Sequence, residues 1–474
     1  MADHTLPIGP NRITTDSWIE VRSPYDDSLI ARVPEASKLL VDEAAERCRA
    51  VHDKGPLPAW QRAEILDRAA VAVRAHEDEL AETIALEAAK PMKTARVEAQ
   101  RCVSTFQFAA VAARSLSGEM VPMDASLAGA GKLAFTLRVP VGVVGAISPF
   151  NFPLNLVAHK LAPAIAAGCP VVLKPASQTP VSAIRLVELL LDECGLPPDH
   201  VNVVCGGGGT VGNAIVEHPD IAMITFTGSP EVGWGIKSAA PRKKVGLELG
   251  NNAPVIIEPS GDWETAAAKI SVAGFSHAGQ SCISTQRVLV HTSIADAFTD
   301  ALVDRAKNLV VGDPLDEQTD VSALISKKER DRVCTWIDEA TEEGAQVALG
   351  GSLDDHGVLV PTVLTHVRQE MKVSAHEVFG PLVGIATYTD FDDALRRAND
   401  TRYGLQAAVY TANLDDALKA ARALDFGGVL VNEVPTFRAD QQPYGGVRDS
   451  GNTREGPQYA VEEMTERRLV ILNA

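Results

Sequence analysis

Of the seven cysteines in this 474-residue chain, Cys282 has the neighbours of a nucleophile. It lies in Gly279-Gln280-Ser281-Cys282-Ile283-Ser284, a small polar loop between an expected helix and an expected strand over residues 286–291. Such a loop presents a side chain to a cleft. The other six, at positions 48, 102, 169, 194, 205 and 334, fall in apolar or helical stretches and read as packed, inert thiols. Glu248 is the acid to set beside it. It is embedded in Val245-Gly246-Leu247-Glu248-Leu249-Gly250, where desolvation raises a carboxyl toward use as a general base. A satisfied buried acid is the plain alternative.

Two turns have the residues of a phosphate cradle. Gly207-Gly208-Gly209-Thr210-Val211-Gly212 follows a strand and opens a helix, but no acid stands about twenty residues on at a strand end, so a flexible turn is the better reading. Phe226-Thr227-Gly228-Ser229 also leaves a strand for a helix, whose free amides and positive end favour an anion. The nearest two cysteines are 11 residues apart and no Cys-x-x-Cys occurs, so neither a metal site nor a dithiol pair is expected.

The elements that must hold these residues are legible in outline. Residues 37–113 are Ala-rich with apolar positions at helical spacing, broken at Gly55-Pro56 and Pro91, and read as several packed helices. From 139 to 248, short β-branched runs (141–147, 171–173, 201–204, 223–226, 245–249) alternate with helical segments (155–167, 180–194, 210–217, 230–239). That alternation predicts a parallel sheet of the dinucleotide-binding kind. A second alternating region over 255–431, with helices expected at 263–277, 294–309 and 327–343, requires its own core. Residues 118–132 and the last eighteen fit neither pattern and are candidate arms that pair with another subunit.

Lys and Arg total 44 against 62 Asp and Glu, a formal charge of −18. A scattered negative surface repels phosphate backbones and anionic lipid, so no nucleic acid and no membrane is expected as a partner. The start carries an acid where a signal peptide carries bases, and the protein is expected to be cytoplasmic. Residues 139–158 hold no charge, but Pro140, Pro149, Pro153, Asn151 and Asn155 would leave polar groups unpaired in lipid.

These signals fall in one order along the chain. Pro149-Phe150-Asn151-Phe152-Pro153, Lys174-Pro175, Phe226-Thr227-Gly228-Ser229, Leu247-Glu248-Leu249-Gly250, Gly279-Gln280-Ser281-Cys282 and Glu377-Val378-Phe379-Gly380-Pro381 resemble the signature series of the aldehyde dehydrogenase superfamily, over essentially the whole chain. Glu248 and Cys282 stand 34 residues apart, as that pattern requires. The resemblance implies an α/β fold with a Rossmann-like dinucleotide-binding domain (1–118, 138–248 and 437–456), a second α/β catalytic domain (249–436), and a small β oligomerisation arm (119–137 and 457–474) in a homodimer or homotetramer.

It also implies roles. Cys282 would be the nucleophile, Glu248 the general base, and Asn151 one half of an oxyanion hole completed by the Cys282 amide. Lys174 would bind the adenosine ribose, Ser229 the pyrophosphate and Glu377 the nicotinamide ribose, with Ser148, Pro149, Phe150, Phe226, Gly228, Leu249, Gly250 and Phe379 around the cofactor. A thiolate would add to a small aldehyde, and Glu248 would activate the water that releases a carboxylate. Transfer to coenzyme A, or a non-catalytic role on this fold, are the alternatives. The cofactor is NADP or NAD. Ser177 stands where NAD-preferring members often carry Glu, which leans the choice toward NADP.

For the aldehyde, Asn155 and His159 follow Asn151 at i+4 and i+8 and share a helix face. Arg438 lies in Phe437-Arg438-Ala439-Asp440-Gln441-Gln442-Pro443-Tyr444, a variant similar to the lactaldehyde, non-phosphorylating glyceraldehyde-3-phosphate and phosphonoacetaldehyde dehydrogenases. Asn155, His159, Ser281 and Arg438 together suggest a short hydrophilic aldehyde, 2-hydroxylated or anionic, with a hydrogen-bonded packing role for His159 and a surface or structural role for Arg438 as the plain alternatives. Three departures stand out: Ser281 where phosphate-specific relatives carry Arg, Asn251 in place of a second Gly, and Asn452-Thr453 ahead of Arg454-Glu455-Gly456. Glu455 has no assigned role.

Overall fold

The computed structural model describes residues 2–473. Near its start stand short strands, among them Leu6–Ile8 paired with Asn11–Ile13 and Trp18–Arg22 paired with Leu29–Pro34, all antiparallel. They are too brief to give the sequence a clear period. The Ala-rich stretch forms helices Lys38–Lys54, Ala59–Ala75, Glu77–Ala88 and Met92–Ser115, with breaks at Gly55 and Pro91 and a further one at His76. Small side chains let Ala59–Ala75 and Met92–Ser115 pack closely.

A five-stranded parallel sheet follows, in the order Val201–Val203, Val171–Lys174, Val143–Ile147, Ile221–Thr227, Lys244–Glu248. The first strand in sequence is central, so the winding reverses beside it, and ligands bind at that reversal, beyond the carboxyl ends of the strands. Ser148–Asn151, Thr227–Ser229 and Leu249–Gly250 all leave strands at that end. Helices Asn155–Ala167, Val181–Asp192 and Pro230–Ala239 are connected through the turns expected for them. Residues 139–158 are shared among two strands, a turn and the start of a buried helix.

Asn155–Ala167 starts without a capping side chain of its own. Glu98, on Met92–Ser115, accepts the Leu154 and Asn155 N–H groups at 2.9 and 3.0 Å and pairs with the buried Lys90 ammonium at 2.5 Å. A carboxylate from another helix thus satisfies the orphan amides and fixes the turn carrying Asn151.

The second sheet has seven strands, ordered Gln346–Leu349, Thr362–Thr365, Leu382–Tyr388, Arg287–His291, Pro254–Ile257, Gln406–Tyr410, Gly428–Val431. All pairings are parallel except the first. It has a core of its own around Val255, Phe275, Val288, Phe298 and Val383. Thr465–Asn473 pairs antiparallel with Lys132–Pro140, which also holds Met120–Val121. Two features depart from the expected arm. Its strand runs on to Pro140, and helix Pro457–Glu463 packs on Asn155–Ala167 and Met92–Ser115, with Val461 and Met464 inside the first core. The apolar side of that short helix is what draws it there.

Candidate active site

A cavity of about 640 Å³ lies between the two sheets, a size suited to a cofactor-bearing cleft. Cys282, Asn151 and Glu248 line it, with Pro149, Phe150, Gly228, Ser229, Leu249, Gly250, Glu377 and Phe379. Five separate segments of the sequence expectation therefore meet around one cavity.

The nucleophile loop is held under strain. His277, Ala278 and Gly279 occupy left-handed backbone at φ 50°, 52° and 69°, which is costly for the first two. A Cβ on Gly279 would sit 2.0 Å from the Gly380 carbonyl, so this loop abuts the one bearing Glu377 and Phe379. Asn151 Nδ2 donates to the Gln280 carbonyl at 2.9 Å, which leaves its second amide hydrogen for a ligand. Among the described residues the Cys282 N–H donates to no other group. The Cys282 thiol lies 2.9 Å from the Tyr444 hydroxyl. Burial pushes that thiol up to about 12, against the hydrogen bond from Tyr444.

Glu248 is buried, and neither carboxyl oxygen has a hydrogen-bond partner. Burial, and then the nearby Glu455 charge, hold it well above the usual carboxylate range against Arg438, Lys160 and Arg454. Glu377 is raised to about 8 by burial, although the Asn251 N–H donates to it at 2.9 Å. A Cβ on Gly250 would stand 2.3 Å from its carboxyl oxygen, so only glycine lets Glu377 lie flat on this turn.

The polar groups along the cleft suit a dinucleotide. Ser229 opens helix Pro230–Ala239 and spends no side-chain bond on capping it, and Ser229, Pro230 and Glu231 at this helix start line the cavity. Lys174 is buried, its ammonium within 3.4 Å only of the Pro175 carbonyl, and burial lowers its pKa. Such a cation suits hydroxyls or phosphate. Ser177 donates to the Gly206 carbonyl at 3.0 Å, at the glycine-rich turn. The Ser148 hydroxyl is buried without a partner. Phe226 packs in the core, its ring against Gly228, and Phe150 meets Phe379 edge-on at 5.9 Å.

The residues expected to meet the substrate sit outside this cavity's lining, with His159 and Arg438 in the packed arrangement that is their alternative. Asn155, His159, Ser281 and Arg438 do not line this cavity. Asn155 and His159 do share a face, but that face packs on Met92–Ser115 and the 437–444 segment. Thr105 donates to Asn155 Oδ1 at 2.9 Å, and Asn155 Nδ2 donates to Asp440 at 3.2 Å. His159 Nε2 lies 3.1 Å from both Asp440 and Arg438 Nη2. Arg438 donates to Glu455 at 2.9 Å and stacks its guanidinium 3.8 Å from the Tyr444 ring centre. Arg101 reaches the same cluster, donating to Asp440 at 2.8 Å.

The unusual residues have structural uses. Asn251 Nδ2 donates to the Gln406 carbonyl at 3.1 Å. Asn452 accepts the Leu247 N–H at 2.8 Å and donates to the Val245 carbonyl at 3.0 Å, extending the sheet edge behind Glu248. Glu455 is the missed member, buried between Arg438 and Lys160, 3.7 Å from the latter. Tyr444, Arg332, Trp336, His376 and Tyr403 were also missed. Arg332 and Trp336 are four apart on helix Lys327–Glu342, a spacing that would have flagged them as one face.

Two α/β layers joined by a cleft that holds a thiol, an amide donor and a buried carboxyl define a thiol-dependent dehydrogenase. The chain matches the Aldehyde dehydrogenase family over residues 12–470 and belongs to it; it is an NAD(P)-dependent oxidoreductase. It is 45% identical over 460 residues to a 3-sulfolactaldehyde dehydrogenase of Priestia aryabhattai, covering 97% of this chain and 96% of the relative. Among solved structures it resembles aldehyde dehydrogenase 21 of Physcomitrella patens in complex with the reaction product succinate (35% identity, TM-score 0.96, 100% of this chain and 98% of the other). It also resembles a glyceraldehyde-3-phosphate dehydrogenase of Methanocaldococcus jannaschii complexed with NADP (39% identity, TM-score 0.92, 97% and 100%). Among the described residues no helix is long and apolar enough to cross a membrane, and no acid, His and Cys group could hold a metal ion.

Proposed function

We propose that this chain oxidises a short hydrophilic aldehyde bearing a terminal anion to its carboxylate, with hydrolytic release. One observation carries the reading: Cys282, Asn151, Glu248 and Glu377 line a single cleft between the sheets. Cys282 attacks the carbonyl carbon as thiolate. Asn151 Nδ2 and the Cys282 N–H hold the resulting alkoxide, and loss of one such donor costs about 10²–10³ in rate. Bound against Ser229, Lys174 and Glu377, the nicotinamide cofactor supplies the hydride acceptor. Glu248 then takes a proton from water as it attacks the thioester; its partnerless oxygens are free to do so. With this carboxyl in the cleft, hydrolysis is preferred over transfer to coenzyme A.

An anionic substrate is supported by the relatives, whose names carry a sulfonate, a succinate product and a phosphate. Arg438 donates to Glu455 through Nη2, keeps a buried Nε without a partner and is only 5% exposed, whereas the Arg101 side chain is 24% exposed and donates to Asp440 through Nε and Nη2. Neither arginine lines the cavity itself, and we assign the anion to Arg101 on its greater exposure alone. NADP is preferred over NAD because Ser177 places no carboxylate against a 2′-phosphate. Seven cysteines without a disulfide suit the cytoplasm. The exposed Leu469, Ile471 and Leu133 suit an arm that joins copies into a homodimer or homotetramer. Assay of lactaldehyde, sulfolactaldehyde, succinic semialdehyde, glyceraldehyde 3-phosphate and propanal with both nicotinamides tests the substrate reading. A higher kcat/KM for propanal than for every anionic aldehyde would refute it.

A further inference from the structure

The reacting sulfur has a partner that the reaction described above does not use. Tyr444 is 3% exposed, and its hydroxyl lies 2.9 Å from Cys282 Sγ. Tyr444, Ile283 and Leu405 form a small apolar cluster against Cys282, so the ring is fixed rather than swinging. Behind it the Arg438 guanidinium lies 3.8 Å from the ring centre, held by Glu455 at 2.9 Å and beside His159 at 3.1 Å.

We propose that Tyr444 is a catalytic residue that stabilises the Cys282 thiolate by donating a hydrogen bond from its hydroxyl to Sγ, and that Arg438 is a positioning residue acting through the ring. This rests on Cys282 being the nucleophile. A thiolate has no proton and can only accept, so in the reactive state the phenol is necessarily the donor. A cation against the π-face withdraws charge from the ring and strengthens its O–H as a donor. Burial and the neighbouring Cys282 keep the phenol well above its ordinary range, so it remains a donor rather than a competing anion. When the sulfur attacks, the bond lengthens with the loss of negative charge on sulfur, and no proton leaves Tyr444.

The charged groups facing this pair are known. Cys282 faces Glu377 and Glu248, which oppose a thiolate, and Arg438, which favours it. Arg438 itself faces Glu455, Asp440 and His159. Tyr444 and Arg438 thus act against burial and the two carboxyls, which together hold the sulfur as a thiol.

The test is the pH dependence of iodoacetamide alkylation of Cys282, followed by peptide mass spectrometry in the full-length chain, with Cys334 alkylation as internal reference. Tyr444→Phe keeps the ring and its stacking. It is expected to shift the midpoint up by about one unit or more, a tenfold or larger slowing at fixed pH. Arg438→Gln should shift it in the same direction, and Arg438→Lys should restore part of the loss. If Arg438→Gln does not fold, Tyr444→Phe alone decides. An unchanged midpoint in Tyr444→Phe overturns the proposal. Loss of aldehyde oxidation in Cys282→Ala separately tests the nucleophile on which it rests.

Discussion

Arg438 Nη2 donates to Glu455 at 2.9 Å with the two side chains 5% and 7% exposed, an ion pair sealed behind the catalytic cleft. The pair ties Arg438 into the scaffold that sets the charge around Glu248 and Cys282. Lys160 joins it, donating to Thr227 at 2.7 Å in the turn of the cofactor wall.

Removing one member leaves the other buried and unpaired. Glu455→Gln should destabilise the fold by about 3–5 kcal/mol, measured by urea unfolding. Burial would raise Glu455, but Arg438 and Lys160 hold it below its ordinary range. A carboxyl lowered in the folded state stabilises above its unfolded pKa and loses that stabilisation as pH falls through the folded value. The gap between wild type and Glu455→Gln should therefore narrow on acidification; a gap that widens would contradict the pairing.

Two arginines separate substrate binding from scaffold. Arg101→Leu should raise KM for an anionic aldehyde at least tenfold while leaving propanal within about twofold, since a charge-assisted hydrogen bond contributes roughly 1.5–3 kcal/mol. Arg438→Leu should depress turnover of both aldehydes and lower Tm. Selective loss of the anionic substrate in Arg438→Leu, with Arg101→Leu unaffected, would reverse the assignment.

Both reacting groups are held protonated by burial. Cys282 is pushed up to about 12, and Glu248 lies well above the carboxylate range. Each acts only after losing its proton, so kcat/KM should climb steadily between pH 6 and 9. A profile flat across that interval would show that neither proton limits the reaction.

Cofactor choice is probed at one position. Ser177→Glu places a carboxylate near Lys174, which should repel a 2′-phosphate and accept ribose hydroxyls. The ratio of kcat/KM for NADP over NAD should fall tenfold or more. An unchanged ratio would mean that discrimination lies elsewhere.

The parallel sheets were legible because strands buried on both faces are continuous apolar runs, as at Val143–Ile147 and Val171–Lys174. Cys282 and Glu248 were legible because each is chemically out of place in its segment, whereas Asn151 was reached only through the family resemblance. What periodicity does not carry is the identity of the opposing face. Asn155 and His159 share a side of their helix, but Thr105 and Asp440 meet them there, the latter 285 residues from Asn155. Glu455 and Tyr444 were hidden for the same reason, since a glutamate after Arg454 and a tyrosine after Pro443 look ordinary until folding buries them against Arg438 and Cys282. The strands near the start were missed because runs of three to six residues show too little period.

The central claim is a thioester on Cys282 that Glu248 causes to hydrolyse. Intact-mass spectrometry of Glu248→Gln mixed with aldehyde and NADP tests it most directly. The account predicts one burst of about one NADPH per subunit, followed by accumulation of a mass increase equal to the acyl group, mapped to Cys282. Undiminished steady turnover without that adduct would contradict it.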